Sequence, residues 1–157
     1  MKTLFDKEVN DSIIRRIERL HPELKPRWGK MTTAKMLAHL RLSFQANFGE
    51  IVLKRDKVLG TILKPLARHI LLGNKPFWKN MPTDKKLLPK APVDFFEEQQ
   101  KVIEMIRKYA TTGPAIISKN PHNILGEITS EQSAYISHKH VDHHLRQFGI
   151  HATTRRA

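Results

Sequence analysis

The chain of 157 residues contains no cysteine. Disulfide staples, thiolate-ligated metals and a cysteine nucleophile are therefore ruled out, and a reducing compartment is compatible though not required. Long apolar runs are also lacking. The opening MKTLFDKEVN has no hydrophobic stretch of signal-peptide length, and no window approaches the length needed to span a bilayer. The expectation is a soluble cytoplasmic protein with no transmembrane segment. Strand-like alternation is nearly missing. Acidic residues are scarce, with 15 Asp and Glu against 28 Lys and Arg, for a net charge of +13.

That excess is unevenly spread. Between Ile51 and Lys90 stand Lys54, Arg55, Lys57, Lys64, Arg68, Lys75, Lys79, Lys85, Lys86 and Lys90, opposed only by Asp56 and Asp84. A field of this sign attracts nucleic acid, anionic lipid or an acidic small molecule, or simply keeps a solvated face soluble. No aromatic-interleaved pattern or nucleic-acid motif accompanies it, so nucleic acid is not favoured.

What the chain does contain is helical periodicity, and its 39% hydrophobic residues suffice for one core. A first helix is predicted after Asp6, with Val9, Ile13, Ile14, Ile17 and Leu20 as its stripe and Pro22 as its end. A second begins at Thr32 or Thr33, buries Met36, Leu37, Leu40 and Phe44, and stops at Gly49. A third carries a D-x-x-E cap at Asp94 and Glu97. Its stripe is Phe95, Phe96, Val102, Ile103, Ile106 and Tyr109, and Gly113-Pro114 closes it. A fourth starts at Thr129 with Gln132 as capping-box partner and runs through Ile136, Val141 and Leu145 to Gly149. The long connection from Glu50 to Pro92 includes an apolar segment, Leu59 to Leu72, with Pro65 near a helix start and Gly73 past its end. The later FWKNMPTDKKLLPKAP reads as an irregular strap. The fold class is thus all-α, a helical bundle with a long, partly helical crossover, occupying residues 1–150 as one domain. Residues 151–157 form a short flexible basic tail.

Five of the nine histidines lie in SHKHVDHHLRQFGIH. On a helix His140 and His144 share one face, close enough to turn their distal nitrogens onto one ion. Ser133, Ile136 or Ser137, and Gln147 share that face; His143 is rotated to one side and His138 points elsewhere. The spacing H-x-x-x-H alone is a weak signal, since such pairs are often surface residues. His39 borders the apolar face of the second helix, where a lone histidine is ordinarily a hydrogen-bonded core residue. Two facing helices, one giving His39 and the other the pair, can nonetheless supply three nitrogens and leave a fourth position open, as catalytic zinc sites do. Val141 follows His140, so the zincin pattern H-E-x-x-H is absent.

Several stretches together carry a family likeness. Arg27-Trp28-Gly29-Lys30-Met31, Met36-Leu37-Ala38-His39-Leu40, Gly126-Glu127-Ile128-Thr129 and Lys139-His140-Val141-Asp142-His143-His144-Leu145-Arg146-Gln147-Phe148-Gly149 resemble the DinB/YfiT-like superfamily. The nearest likeness is to its branch with W-G-x-M, M-L-x-H-L and K-H-x-D-H-H-L-x-Q-F-G motifs. The likeness covers nearly the whole chain and is least specific in the middle third. Two places depart from the pattern: His122-Asn123-Ile124-Leu125-Gly126 stands for H-P-x-F-G, and Lys35 replaces a neutral residue. The resemblance implies an up-and-down four-helix bundle, a homodimer, and a metal site at His39, His140 and His144.

Three neutral imidazoles suit a divalent ion, zinc or nickel first and iron as well. Such an ion acidifies bound water or binds a thiolate or carboxylate, and no general base is evident from spacing. The family resemblance implies a metal-dependent transferase that activates a thiol, or a hydrolase, acting on a small molecule. Gln147 and Ser133 are candidates for orienting a ligand or water. Asp142 and His143 are candidate partners of the metal-binding residues or, for Asp142, of a salt bridge. The basic connection would then serve as lid or wall for an anionic substrate. A different class remains open: a non-enzymatic binding protein whose basic surface contacts nucleic acid or an anionic surface, with the histidines idle or structural.

Overall fold

Among the described residues, five helices form where apolar periodicity and capping residues coincide: α1 (Lys7–Ile17), α2 (Thr33–Asn47), α3 (Lys57–Leu72), α4 (Phe95–Thr112) and α5 (Ser130–Gln147). The computed structural model describes residues 1–54 and 57–152, with backbone alone for 57–60. No strand occurs among the described residues. The chain is all-α.

The caps explain the starts. Thr32 Oγ1 accepts from the Lys35 N–H at 3.2 Å, so Thr33 is the first helical residue of α2. Asp94 accepts from the Glu97 N–H at 2.8 Å, but the Glu97 carboxylate pairs forward with Lys101 and the cap is one-sided. At α5 the box is complete, with the Gln132 N–H on Thr129 Oγ1 at 3.1 Å and the Thr129 N–H on Gln132 Oε1 at 3.0 Å.

α4 packs against both α1 and α2, and α5 packs against α1, α2 and α3. Ile13, Ile17, Met36, Leu37, Leu40, Phe44, Val102, Ile106, Tyr109, Val141 and Leu145 interlock as one apolar cluster. Each such side chain contributes about 1.5–3 kcal/mol by leaving water. Polar ties also join the helices. Asn10 donates to the carbonyls of Leu4 and Ile106, at 2.9 and 2.6 Å. Arg16 spans from α1 to Asp142 on α5 and to the Ile150 carbonyl, each at 2.8 Å.

Three details differ from the sequence expectation. α1 ends at Ile17, not at Pro22, because tight turns from Arg16 and Ile17 carry the chain onward while Leu20 stays buried. Phe96 is 65% exposed, whereas its neighbour Phe95 supplies the core contact. Pro65 lies inside α3 rather than at its start. Proline there forgoes a backbone hydrogen bond, and it is tolerated on a solvent-exposed turn of the helix.

The crossover docks at its ends. Ile70 and Leu71 are buried, and Lys139 Nζ on α5 donates to the carbonyls of Ile70 and Gly73, both at 2.7 Å. A cation thus meets the exposed carbonyl end of α3, the arrangement the helix dipole favours. The strap then runs back to a 3-10 turn at Lys85–Leu87, which lies on α2. At the other end of the chain, His151 accepts from Arg27 Nη1 at 3.1 Å. The rest of the expected flexible tail, residues 153–157, lies outside the described residues, as do the side chains of Arg55, Asp56 and Lys57. No described helix is long and apolar enough to cross a membrane.

Before α5 the chain makes a small loop closed by His122 and Gly126, whose backbones exchange two hydrogen bonds of 2.9 Å. His122 Nδ1 accepts the N–H groups of Ile124 and Leu125, at 3.2 and 3.1 Å, which requires an unprotonated Nδ1. Burial lowers its pKa to about 4. The unfolded chain takes up this proton near the ordinary value while the folded one refuses it. The group's contribution is therefore complete above about pH 6.5 and is lost as pH falls toward 4. His122→Asn, whose amide oxygen can accept the same donors, should flatten the stability slope in that window by up to about 1.4 kcal/mol per pH unit. Denaturant midpoints measured from pH 7 to 4 check this; an unchanged slope refutes it.

Candidate metal centre

His39 sits mid-α2, four residues before Ser43, and its helix faces the half of α5 that carries His140 and His144. The i, i+4 spacing stacks the last two on one side of α5. His39 Nε2 lies 3.0 Å from His140 Nε2, and His144 Nε2 lies 3.1 Å from the same atom. All three offered nitrogens fall within 4.8 Å of one another. Bonds of about 2.0–2.1 Å to one ion at tetrahedral angles separate ligand nitrogens by about 3.3 Å. The three histidines are placed to hold a metal ion.

Their tautomers follow from the partners on the far side of each ring. His39 Nδ1 meets the Leu87 carbonyl at 2.8 Å, so Nδ1 carries the proton and donates it. Gln147 Nε2 donates to the Trp28 carbonyl at 2.8 Å, which turns Gln147 Oε1 toward His144 Nδ1, also at 2.8 Å. His144 Nδ1 is therefore the donor there. Both rings present an Nε2 lone pair toward His140. Two acceptors converging on a third nitrogen can share only a single N–H, whereas a cation satisfies all three. The donor set fits a divalent ion.

Burial keeps these rings neutral, the state that ligates. It pushes His144 down to about 3, with His39 adding repulsion and Gln147 opposing. His140 is held well below the ordinary range by burial first and then by His144, His39 and His143. His39 is lowered by burial, partly offset by the Leu87 carbonyl.

The supporting residues separate by place. Gln147 is buried and bonded to His144. Ser133 is buried in the same cleft wall, and its carbonyl accepts the Ser137 hydroxyl at 2.9 Å. His143 stands beside the centre, its ring 5.2 Å from His144, 5.6 Å from Trp28 and 6.1 Å from Phe77. Asp142 faces away and pairs with Arg16 and Arg146, each at 2.8 Å. His138 opens on a separate, smaller cavity with Lys139, Asp142 and Arg146.

The centre lies in a cleft of about 990 Å³ walled by α2, α5, the loop before α2, the strap and the segment before α5. Lys75, Lys79, Lys85 and Lys86 do not line it. Lys79 instead lies over the Trp28 ring at 4.7 Å, and Lys86 Nζ donates to the Val52 carbonyl at 2.7 Å. Among the described residues, the charged ones on its lining are Lys30 and Lys119 against Asp84 and Glu127.

Several contributors had no recognised signal in the sequence. The Leu87 and Trp28 groups that act are backbone carbonyls, and Phe77 approaches the His140 ring at 6.3 Å from an irregular strap. One signal was present in Arg27-Trp28-Gly29. Gly29 has φ 77°, and a Cβ there would meet Gln147 Nε2 at 2.8 Å. Glycine takes this φ freely and leaves room for the Gln147 amide. No family model, curated protein or solved structure matches the chain.

Gln147→Leu should weaken metal binding by about 10–100-fold, because His144 loses the acceptor that fixes its tautomer. Gln147→Glu keeps an acceptor opposite Nδ1 but loses the N–H given to the Trp28 carbonyl, so its affinity should fall between those of the wild type and Gln147→Leu. Competition titration against a chromophoric chelator measures both. Wild-type affinity in Gln147→Leu would remove this residue from the centre.

Proposed function

We propose that the protein is a metal-dependent enzyme of the DinB-like kind, an up-and-down four-helix bundle with a three-histidine centre that activates a thiol or water for transfer or hydrolysis on a small molecule. One observation carries the reading: His39 and His144 each spend Nδ1 on a carbonyl-type acceptor and turn Nε2 toward His140. A purely structural histidine cluster has no need of that arrangement. The core shared by α1, α2, α4 and α5, with α3 in the crossover between α2 and α4, is consistent with the bundle.

When bound, the ion supplies Lewis acidity and lowers the pKa of a water or thiol toward neutrality. The chain's own residues do the rest. His39, His140 and His144 hold the ion with neutral nitrogens, so its charge is left to attract an anionic group. Leu87 and Gln147 fix ring orientation. Phe77, Trp28 and His143 crowd the flank of the rings. Substrate reaches the centre along the cleft.

Untagged protein, never exposed to a nickel column, should contain one divalent ion per chain, with zinc, nickel or iron identified by elemental analysis. His140→Ala and His144→Ala should each lose it while keeping helical circular dichroism. Protein that binds none of the three metals on titration would overturn the reading.

A second reading has its own observation. On α3 the exposed Ile62, Leu63 and Leu66 accompany Lys64 and Arg68, within the strongly basic stretch from Ile51 to Lys90. Such a surface suits a non-enzymatic contact with nucleic acid or an anionic surface. It predicts polyanion binding that falls steeply with salt and survives His140→Ala, as fluorescence anisotropy would report. Absence of binding at low salt removes it.

A further inference from the structure

The cleft says more about its ligand than the histidines do. About 990 Å³ lies at the large end of small-molecule sites. Both tryptophans of the chain, Trp28 and Trp78, border it, with Met31, Met81, Ile117 and Ile136. Among the described residues, its charged lining, two lysines against an aspartate and a glutamate, sums to zero.

The polar floor between α2 and α5 has little left to offer a polar ligand. The Ser43 hydroxyl donates to the His39 carbonyl at 2.9 Å, and the Ser137 hydroxyl donates to the Ser133 carbonyl at 2.9 Å. Asn47 Nδ2 donates to Ser137 Oγ at 2.8 Å and to the Tyr109 hydroxyl at 3.3 Å. These donors are spent on the protein itself. Along this floor a polyhydroxylated or peptide-like tail would give up water for few new partners, whereas a hydrocarbon tail gains by burial; polar side chains such as Asn80, Thr83, Asn120 and Asn123 line the cleft from the strap and the segment before α5.

We infer that the substrate is an amphiphile, with one anionic head at the three histidines and an apolar tail lying along the cleft. The tail follows from the walls and floor; the head rests on the metal reading, because three neutral ligands leave the charge of a divalent ion uncompensated. The stripe on α5 from His140 back to Ser133 spans about 10 Å, room for an extended chain of about eight carbons. Among the described residues, the lysines of the basic connection lie off the lining and take no direct part.

The test uses straight-chain carboxylates from acetate to decanoate, with gluconate as a polar-chain control matched to hexanoate. Emission of Trp28 and Trp78 reports occupation of the cleft in metal-free and cobalt-loaded protein, and visible cobalt absorption reports the head group. Affinity should tighten by about fourfold per methylene up to about octanoate, with gluconate no better than acetate. Ile136→Ser should blunt the gain for octanoate and spare acetate, which separates the cleft from adsorption elsewhere on the surface. A cobalt spectrum responding equally to acetate, gluconate and octanoate overturns the tail inference and leaves the metal site standing. A chain-length gain in tryptophan emission from protein that takes up none of cobalt, zinc, nickel or iron upholds the tail and overturns the metal reading. Octanoate binding no tighter than acetate in both forms overturns the inference outright.

Discussion

The centre depends on the far side of two imidazole rings. Because a carbonyl can only accept, Leu87 forces the proton of His39 onto Nδ1. Because the Trp28 carbonyl takes the amide N–H of Gln147, that side chain can only accept from His144. The two Nε2 lone pairs are thereby aimed before any ligand arrives. Without those acceptors each neutral ring would be free to change tautomer or rotate, and the 3 Å convergence on His140 would lose its direction.

The same constraint gives the long crossover and the loop before α2 a purpose beyond connection. The crossover bridges α2 and α4 and delivers the Leu87 carbonyl to α2 through a short 3-10 turn. The loop of Arg27, Trp28 and Gly29 closes on the end of α5, with the Arg27 N–H on the Gln147 carbonyl at 2.7 Å and Trp28 on its amide. Ligand orientation is therefore coupled to segments with little regular structure. The helices that supply the ligands are held independently by the apolar cluster and by the Arg16 bridge to Asp142.

Electrostatics and packing cooperate at the site. Burial lowers the proton affinity of all three rings, and their mutual proximity lowers that of His140 further. A group of bases that resists protonation remains available to a metal at mildly acidic pH. Asp142 sits between His140 and His144 in sequence, yet the helical turn carries it to Arg16 and Arg146 instead. Asp142 is therefore spent on the two arginines and does not face the three histidines.

Local information in the chain was enough for the helices and for part of the centre. Thr32, Asp94 and Thr129 mark helix starts because capping acts within three residues, and the His140 and His144 pair follows from one turn of α5. The 3.6 periodicity placed His39 at the edge of a buried face. It misplaced Leu20 and Phe96, since a stripe does not show where the neighbouring helix ends or whether a turn has already broken the helix. The meeting of His39 with His140 across 101 positions, the reach of Leu87 to His39 and the reach of Trp28 to Gln147 belong to the tertiary structure. Two of those contacts use backbone carbonyls, which every residue has. A sequence can specify which side chains are able to ligate; only the folded chain decides which anonymous carbonyls stand behind them.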